Sequence, residues 1–305
     1  MERESFSLYE SAVAEARRQQ AGCDSSINPI CQPLLMTHGR KTAVAVVWLH
    51  GYTNCPHQYE ALGRRCYDKG WNVWIPLAPH HGLADRLTDA TRLLTARELE
   101  LWADRAVDVA LGLGERVVVG GLSMGGAAAA WLGQRRQDVA VALSVAPALT
   151  PLNGPAGVSR LAAALFRAIP NVMAWWDPKR RETLPGPTHA YLRYSLKGVA
   201  EILRLGFSFA DEARKHLPAA GAFRLMVNDG DEHLNNSFAE RIIARWKRRG
   251  AANVSLIRLS STLGLKHDFI DPEQPYQQVE MAYPLLIGAI DDALATLDGG
   301  RGAVG

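Results

Sequence analysis

Six short apolar, β-branched runs recur along the chain, and helical stretches separate most of them. They are AVAVVW at 43–48, NVWIP at 72–76, RVVVG at 116–120, VAVALSV at 139–145, FRLMV at 223–227 and VSLIRL at 254–259. A strand with one face in water alternates apolar and polar residues, whereas a strand buried on both faces reads as a near-continuous apolar run. These runs are of the second kind. Helical patterns occupy about 57–69, 96–113, 124–135, 237–249 and 276–297. The alternation predicts an α/β fold, a mostly parallel central sheet flanked by helices on both faces.

One stretch breaks the rhythm. From Pro147 to about Pro218 the pattern is helical with no convincing strand, and it contains RLAAALFRAIP, the pair Trp175 and Trp176, the turn-rich DPKRRETLPGP and the segment HAYLRYSLKGVAEILRLGFSFADEARKH. An all-helical insertion between two sheet strands is the plan of a lid over a site. The expected organisation is a first core part over 1–146, a helical lid over 147–218 and a second core part over 219–305. An amphipathic helix over 1–20, built on Phe6, Tyr9, Val13 and Ala16 or Arg17, precedes the core, and the tail GGRGAV is expected to fray.

Composition removes several function classes. Of 305 residues 48% are hydrophobic and 21% charged, so the chain can bury a full core and is neither disordered nor fibrous. The net charge of +3 comes from 34 basic and 31 acidic residues spread along the sequence, which leaves no basic stripe to track nucleic acid. The first twenty residues lack the apolar core of a secretory signal, and no run reaches the roughly 18 apolar residues of a membrane span. The expectation is a soluble cytoplasmic protein without stable membrane insertion, working as a monomer or homodimer. Cys23, Cys31, Cys55 and Cys66 show no C-x-x-C spacing and read as reduced thiols. If one pair bridges, it is Cys31 with Cys55, because both flank the first strong strand.

The strongest chemical signal is GGLSMGG at 120–126, set between the strand RVVV and an alanine-rich helical stretch. A Gly-x-Ser-x-Gly in that context is a nucleophile elbow: Gly121 and Gly125 allow a sharp backbone turn that leaves Ser123 exposed. A serine hydroxyl needs a base, and the base needs a carboxylate to fix its tautomer. Both should follow Ser123 in the chain, in loops directly after strands on the same sheet edge. STLGLKHDFID after the last strand offers His267. NDGDEHLNN after the preceding strand offers Asp229, Asp231 and Glu232. A metal loop of Asp229, Asp231 and His233 lacks further ligands and zinc spacing, so neither metal nor cofactor is expected. The backbone N–H of Met124 would supply one donor to a tetrahedral oxyanion, and that of Tyr52, in LHGYTNC after the first strand, the other. His50 reads as a loop-fixing residue, and His80 and His81 as rim or loop-bracing residues.

Taken together these residues resemble the α/β-hydrolase superfamily, and within it the bacterial carboxylesterase and monoacylglycerol lipase group with a helical lid. The matching residues are HGYT at 50–53, PHHGL at 79–83 where the family has P-G-H-G, GLSMGG at 121–126, D-x-x-L at 231–234 and H-x-x-x-D at 267–271. The resemblance spans roughly 40–297 and selects Asp231 over Asp229 as the acid. It implies a serine hydrolase that cleaves short- to medium-chain acyl esters or monoacylglycerols, with Ser123, Asp231 and His267 as the catalytic residues. Leu161, Leu165, Phe166, Met173, Trp175 and Trp176 in the lid would build an apolar pocket, and Trp175, Trp176, Phe166 and Met173 are the candidates for touching substrate. A thioesterase or an aminopeptidase of the same fold is an alternative, the latter needing acidic lid residues, for which Glu182 and Glu201 are the candidates. A non-catalytic scaffold binding a small ligand or partner under its lid is the rival from another class. Dehalogenase and epoxide hydrolase chemistry place an Asp where this chain has Ser123.

Overall fold

The computed structural model describes residues 2–149, 156–231, 234 and 236–301. The chain begins with α1 (Glu2–Ala21), β1 (Leu34–Met36), β2 (Thr42–Leu49), α2 (Glu60–Asp68) and β3 (Asn72–Ile75). There follow α3 (Ala96–Leu113), β4 (Gly114–Leu122), α4 (Met124–Arg135) and β5 (Val139–Val145). After α5 (Ala156–Ala168), β6 (Met173–Trp175), β7 (Arg193–Ser195) and α6 (Leu196–Lys215), the chain returns through β8 (Ala222–Asn228), α7 (Asn236–Arg248), β9 (Val254–Leu259) and α8 (Val279–Arg301).

Seven strands form one sheet in the order β1-β3-β2-β4-β5-β8-β9, with β1 antiparallel to β3 and every other pair parallel. The six predicted strands are its six parallel members. Their continuous apolar character follows from two-sided burial: Val47 and Leu49 of β2 face a core layer built with α1, α3, α4, α6 and α7, while Val46 and Trp48 face another built with α2 and α8. Each such side chain contributes about 1.5–3 kcal/mol by leaving water. α3 starts at a capping box, where the Thr95 side chain accepts from the Glu98 amide and Glu98 returns the bond. α1 buries Tyr9, Ala12 and Ala16, and Tyr9 shares a hydrogen bond with Thr37. The side chain of Phe6 and residues 302–305 of the tail lie outside the described residues, whereas Gly299–Arg301 belong to α8.

Two expectations are corrected. The stretch from Pro147 to Pro218 is not all helical: β6 and β7 pair antiparallel, Met173 against Ser195 and Trp175 against Arg193. Three-residue strands are too short to leave a periodicity, so the sequence hides them. The expectation that all four cysteines are thiols fails as well, because Cys31 and Cys55 form a disulfide with Cα atoms 5.3 Å apart. Cys23 and Cys66 are free. Among the described residues no helix is long and apolar enough to cross a membrane.

Candidate active site

Four parallel strands deliver their C-terminal loops to one edge of the sheet, and the candidate residues lie there. Between β4 and α4 the chain turns at Ser123, whose φ of 59° and ψ of −111° are rare for a residue with a side chain. Such strain costs about 1–3 kcal/mol and persists only where the surroundings impose it. Here the Ser123 amide donates to the carbonyl of Val145 at 3.0 Å, and its carbonyl accepts from Ala127 at 2.9 Å and Ala148 at 3.0 Å. The crossing leaves no room for side chains beside the serine. A Cβ on Gly125 would sit 1.8 Å from the carbonyl oxygen of Leu49, and one on Gly121 would sit 2.4 Å from the backbone of Gly125.

His267 follows β9 and Asp231 follows β8, and the two meet: His267 Nδ1 lies 2.5 Å from Asp231 Oδ2. The Asp231 carboxylate is fully buried, and the imidazole is about one-fifth exposed. Burial opposes the charged imidazolium, but the Asp231 hydrogen bond and charge, helped by Asp268, hold the His267 pKa above its ordinary value. A carboxylate at Nδ1 fixes the tautomer with its proton there, which makes Nε2 the accepting nitrogen. Asp229 stands elsewhere, exposed and paired with Arg258. Glu232 and His233 lie outside the described residues.

Ser123 and His267 line one cavity of about 350 Å³. Gly51, Tyr52 and Thr53 from the loop after β2 line it too, and Met124 opens α4 beside it. Among the described residues no acceptor takes the amide proton of Tyr52 or Met124. The loop after β2 is fixed from several sides. Gln58, 1% exposed, accepts from the Gly51 amide at 2.8 Å and donates to Asp268 at 3.0 Å. The Tyr52 hydroxyl donates to the carbonyl of Ser195 at 3.0 Å, and Thr53 Oγ1 accepts from Trp176 Nε1 at 2.9 Å. Cys55 carries the disulfide to Cys31.

His50, His80 and His81 act on structure. His50 is buried, donates from Nδ1 to the Gly51 carbonyl at 2.9 Å and accepts at Nε2 from the Ala78 amide at 3.0 Å, and burial keeps it neutral. Burial likewise pushes His81 down to about 4. His80 pairs with Glu98.

Of the predicted substrate contacts, Trp176 lines the cavity, whereas Phe166, Met173 and Trp175 are not among its lining residues. Phe166 packs on a separate apolar cluster of Ala163, Ala200, Leu203 and Phe207. Met173 and Trp175 are taken up in the ribbon with β7, and Leu161 and Leu165 of α5 face outward. The wall comes instead from the turn-rich stretch after β6, with Leu184, Pro185, Pro187, Tyr191 and Leu192, joined by Tyr276. Sequence reading also misses Gln58 and Asp268. Burial and the neighbouring Asp271 charge raise the Asp268 pKa, and the side chain further accepts from Gln274 at 2.9 Å. Local sequence gives no signal for a pair 210 residues apart.

A family model described as the alpha/beta hydrolase family matches residues 46–281. No curated protein matches the chain by sequence. Solved structures resemble it at low identity. The monoacylglycerol lipase of Paleococcus ferrophilus superposes with a TM-score of 0.63 at 18% identity, covering 86% of this chain and 98% of that one. A structure from work on LipS and LipT, two metagenome-derived lipolytic enzymes, gives 0.61 at 18% identity over 90% and 99% of the two chains. A soluble variant of the Saccharomyces cerevisiae monoglyceride lipase gives 0.56 at 15% identity over 86% and 91%. At such identities the likeness is one of fold.

Proposed function

The chain belongs to the alpha/beta hydrolase family, and we propose that it is a serine hydrolase cleaving carboxylic esters through an acyl-enzyme. The observation that carries this reading is the strained Ser123 sharing a cavity with His267, whose Nδ1 is held by buried Asp231. In the proposed cycle Ser123 Oγ attacks the ester carbonyl carbon while His267 Nε2 takes the hydroxyl proton. The amides of Tyr52 and Met124 donate to the oxyanion, which develops only in the transition state. Collapse expels the alcohol, protonated by His267. A water molecule activated by the same nitrogen then releases the acid and regenerates Ser123. No step calls on a cofactor.

The apolar part of the lining, with Leu122, Trp176, Leu184, Leu192 and Tyr276, suits an uncharged acyl or alcohol group of short to medium length, while Arg86, Asn54, Asp177 and Asp268 make the rest of the wall polar. Residues 147–218 are read as the lid, between core parts 1–146 and 219–305. An aminopeptidase is disfavoured because Glu201 is already engaged by Arg167, Arg204 and the Ala96 amide, Glu182 is outside the cavity lining, and Asp177, which lines the cavity, is taken up by the Lys179 and Arg180 amides and the Arg180 side chain. A non-catalytic scaffold has no need of a strained serine beside a carboxylate-oriented histidine. The location is read as cytoplasmic, where the Cys31–Cys55 bridge would have to survive a reducing pool; trapping thiols in intact cells tests that. The reaction class is tested with p-nitrophenyl acyl esters of increasing length beside matched thioesters and amides. Esters should turn over fastest, and Ser123→Ala should abolish that turnover; ester hydrolysis at the wild-type rate in Ser123→Ala refutes the mechanism.

A further inference from the structure

We propose that His57, His189 and Glu273 form a binding site for a divalent transition-metal ion, with zinc as the best fit. The site stands apart from Ser123 and does not depend on the hydrolytic reading. Its three ligands come from three segments: the turn Pro56–Tyr59 after β2, the stretch between β6 and β7, and the loop after β9. One ligand atom from each lies within 4.8 Å of the others.

The hydrogen bonds behind the ligands fix what the facing atoms are. His57 Nδ1 lies 2.7 Å from Glu60 Oε2. A carboxylate only accepts, so Nδ1 donates to Glu60, and Nε2 lies 3.2 Å from Glu273 Oε1, where either a proton or a metal ion can bridge the two. His189 Nε2 donates to Asp271 Oδ2 at 3.0 Å, which leaves Nδ1 as an acceptor. That nitrogen is buried, and among the described residues nothing donates to it. The atom facing it is Glu273 Oε2, a second acceptor, at 3.6 Å. Glu273 Oε2 also accepts from the Thr188 amide at 3.1 Å and from Thr188 Oγ1 at 3.4 Å, but neither donor serves His189 Nδ1, and a buried lone pair facing a carboxylate is what a cation resolves. A proton on His57 would satisfy the pair with Glu273 but would leave His189 Nδ1 without a partner.

The surroundings have the form that metal centres use, in which a carboxylate behind each ligating imidazole fixes its tautomer and raises its basicity. Glu60 and Asp271 hold those places. Two imidazoles and one carboxylate suit zinc and its neighbours, whereas calcium and magnesium prefer oxygen ligands throughout. A tetrahedral ion with arms of about 2.1 Å separates its ligands by about 3.4 Å. The 3.2 Å from His57 to Glu273 Oε1 and the 3.6 Å from His189 to Glu273 Oε2 bracket that spacing, and the three ligand atoms together, within 4.8 Å, would draw in slightly around an ion. His57 and Glu273 are 25% and 35% exposed, so a water can complete the coordination. Bound there, the ion would clamp His189 to the core, beside Pro187, Ala190 and Tyr191 of the cavity wall.

The test titrates the tag-free full chain, stripped with a chelator, with Zn²⁺ against a chromophoric competitor, and follows thermal unfolding in parallel. One ion per chain should bind with a dissociation constant below about 1 μM, and zinc should raise the melting temperature. His57→Ala and Glu273→Gln should each weaken binding by at least about 100-fold. Glu60→Gln keeps all three ligands and should weaken it by about 10–100-fold through His57. Metal-free melting temperatures of the variants control for folding. Absence of stoichiometric binding in the wild type, or wild-type affinity in both His57→Ala and Glu273→Gln, overturns the assignment.

Discussion

Gln58→Met tests whether the loop after β2 is held in place for chemistry. The replacement keeps the length and approximate volume of the side chain, so the loss is one of hydrogen bonds with little cavity. Gln58 makes two such bonds, from the Gly51 amide at 2.8 Å and to the Asp268 carboxylate at 3.0 Å, and its side chain is buried. Leaving the Gly51 amide unpaired costs about 1–3 kcal/mol, and losing the bond to a carboxylate costs about 1.5–3 kcal/mol. Asp268 keeps its bond from Gln274, which places the sum near 3 kcal/mol, at the lower end. At roughly 2.1 cal/mol/K per residue over 305 residues, that lowers the melting temperature by about 5 °C. Gly51 immediately precedes Tyr52, so a released loop also moves the proposed oxyanion donor. Full removal of such a donor costs about 10²–10³ in kcat, and a displaced one should cost about 10–100-fold. The assay is steady-state hydrolysis of p-nitrophenyl butyrate beside a thermal melt. KM should stay within about twofold, because the donor acts in the transition state. Lower stability with wild-type kcat would refute the link between Gln58 and the oxyanion.

Three further outcomes follow from the same geometry. Asp231→Asn should lower kcat by about 10³–10⁴ by releasing the wrong tautomer of His267, while Asp229→Asn, which alters only a surface pair with Arg258, should stay near wild type; the reverse result in esterase assays would move the acid. His267 must be neutral to accept a proton, and Asp231 holds its pKa above 6.5, so kcat/KM should be lost as pH falls through a midpoint above 6.5; a midpoint below that value contradicts the pairing. The Cys31–Cys55 bridge closes a loop with a sequence separation of 24, which the chain-entropy relation values at about 3.5 kcal/mol. The double Cys→Ala variant should therefore melt about 5 °C lower, and an unchanged melting temperature would show that the bridge contributes nothing.

The parallel sheet is legible in the sequence because each of its strands is buried on two faces, and that burial writes itself as a continuous apolar run. β1 escapes because it is a three-residue antiparallel edge strand, and β6 and β7 because Met-Ala-Trp and Arg-Tyr-Ser are too short to establish a period. Ser123 and His267 are readable for a local reason: the elbow needs glycines at fixed offsets, and the histidine lies in the loop after the last strand. Gln58 and Asp268 are not, since their partnership is made by folding across 210 residues. The same holds for His57 and Glu273, which lie 216 residues apart. The lid misleads in a different way. Its apolar helix α5 attracts attention, yet Leu161 is 73% exposed, and the cavity wall is made by a proline-rich turn whose composition suggests only a loop.

The central claim is that Ser123 becomes acylated during turnover. Mixing the protein with excess of a slowly deacylated p-nitrophenyl ester, quenching in acid and mapping peptides by mass tests it directly. The account predicts one acyl group per chain on the peptide containing Ser123 and none on Ser123→Ala. Continued ester turnover without an adduct, or an adduct on any other residue, contradicts it.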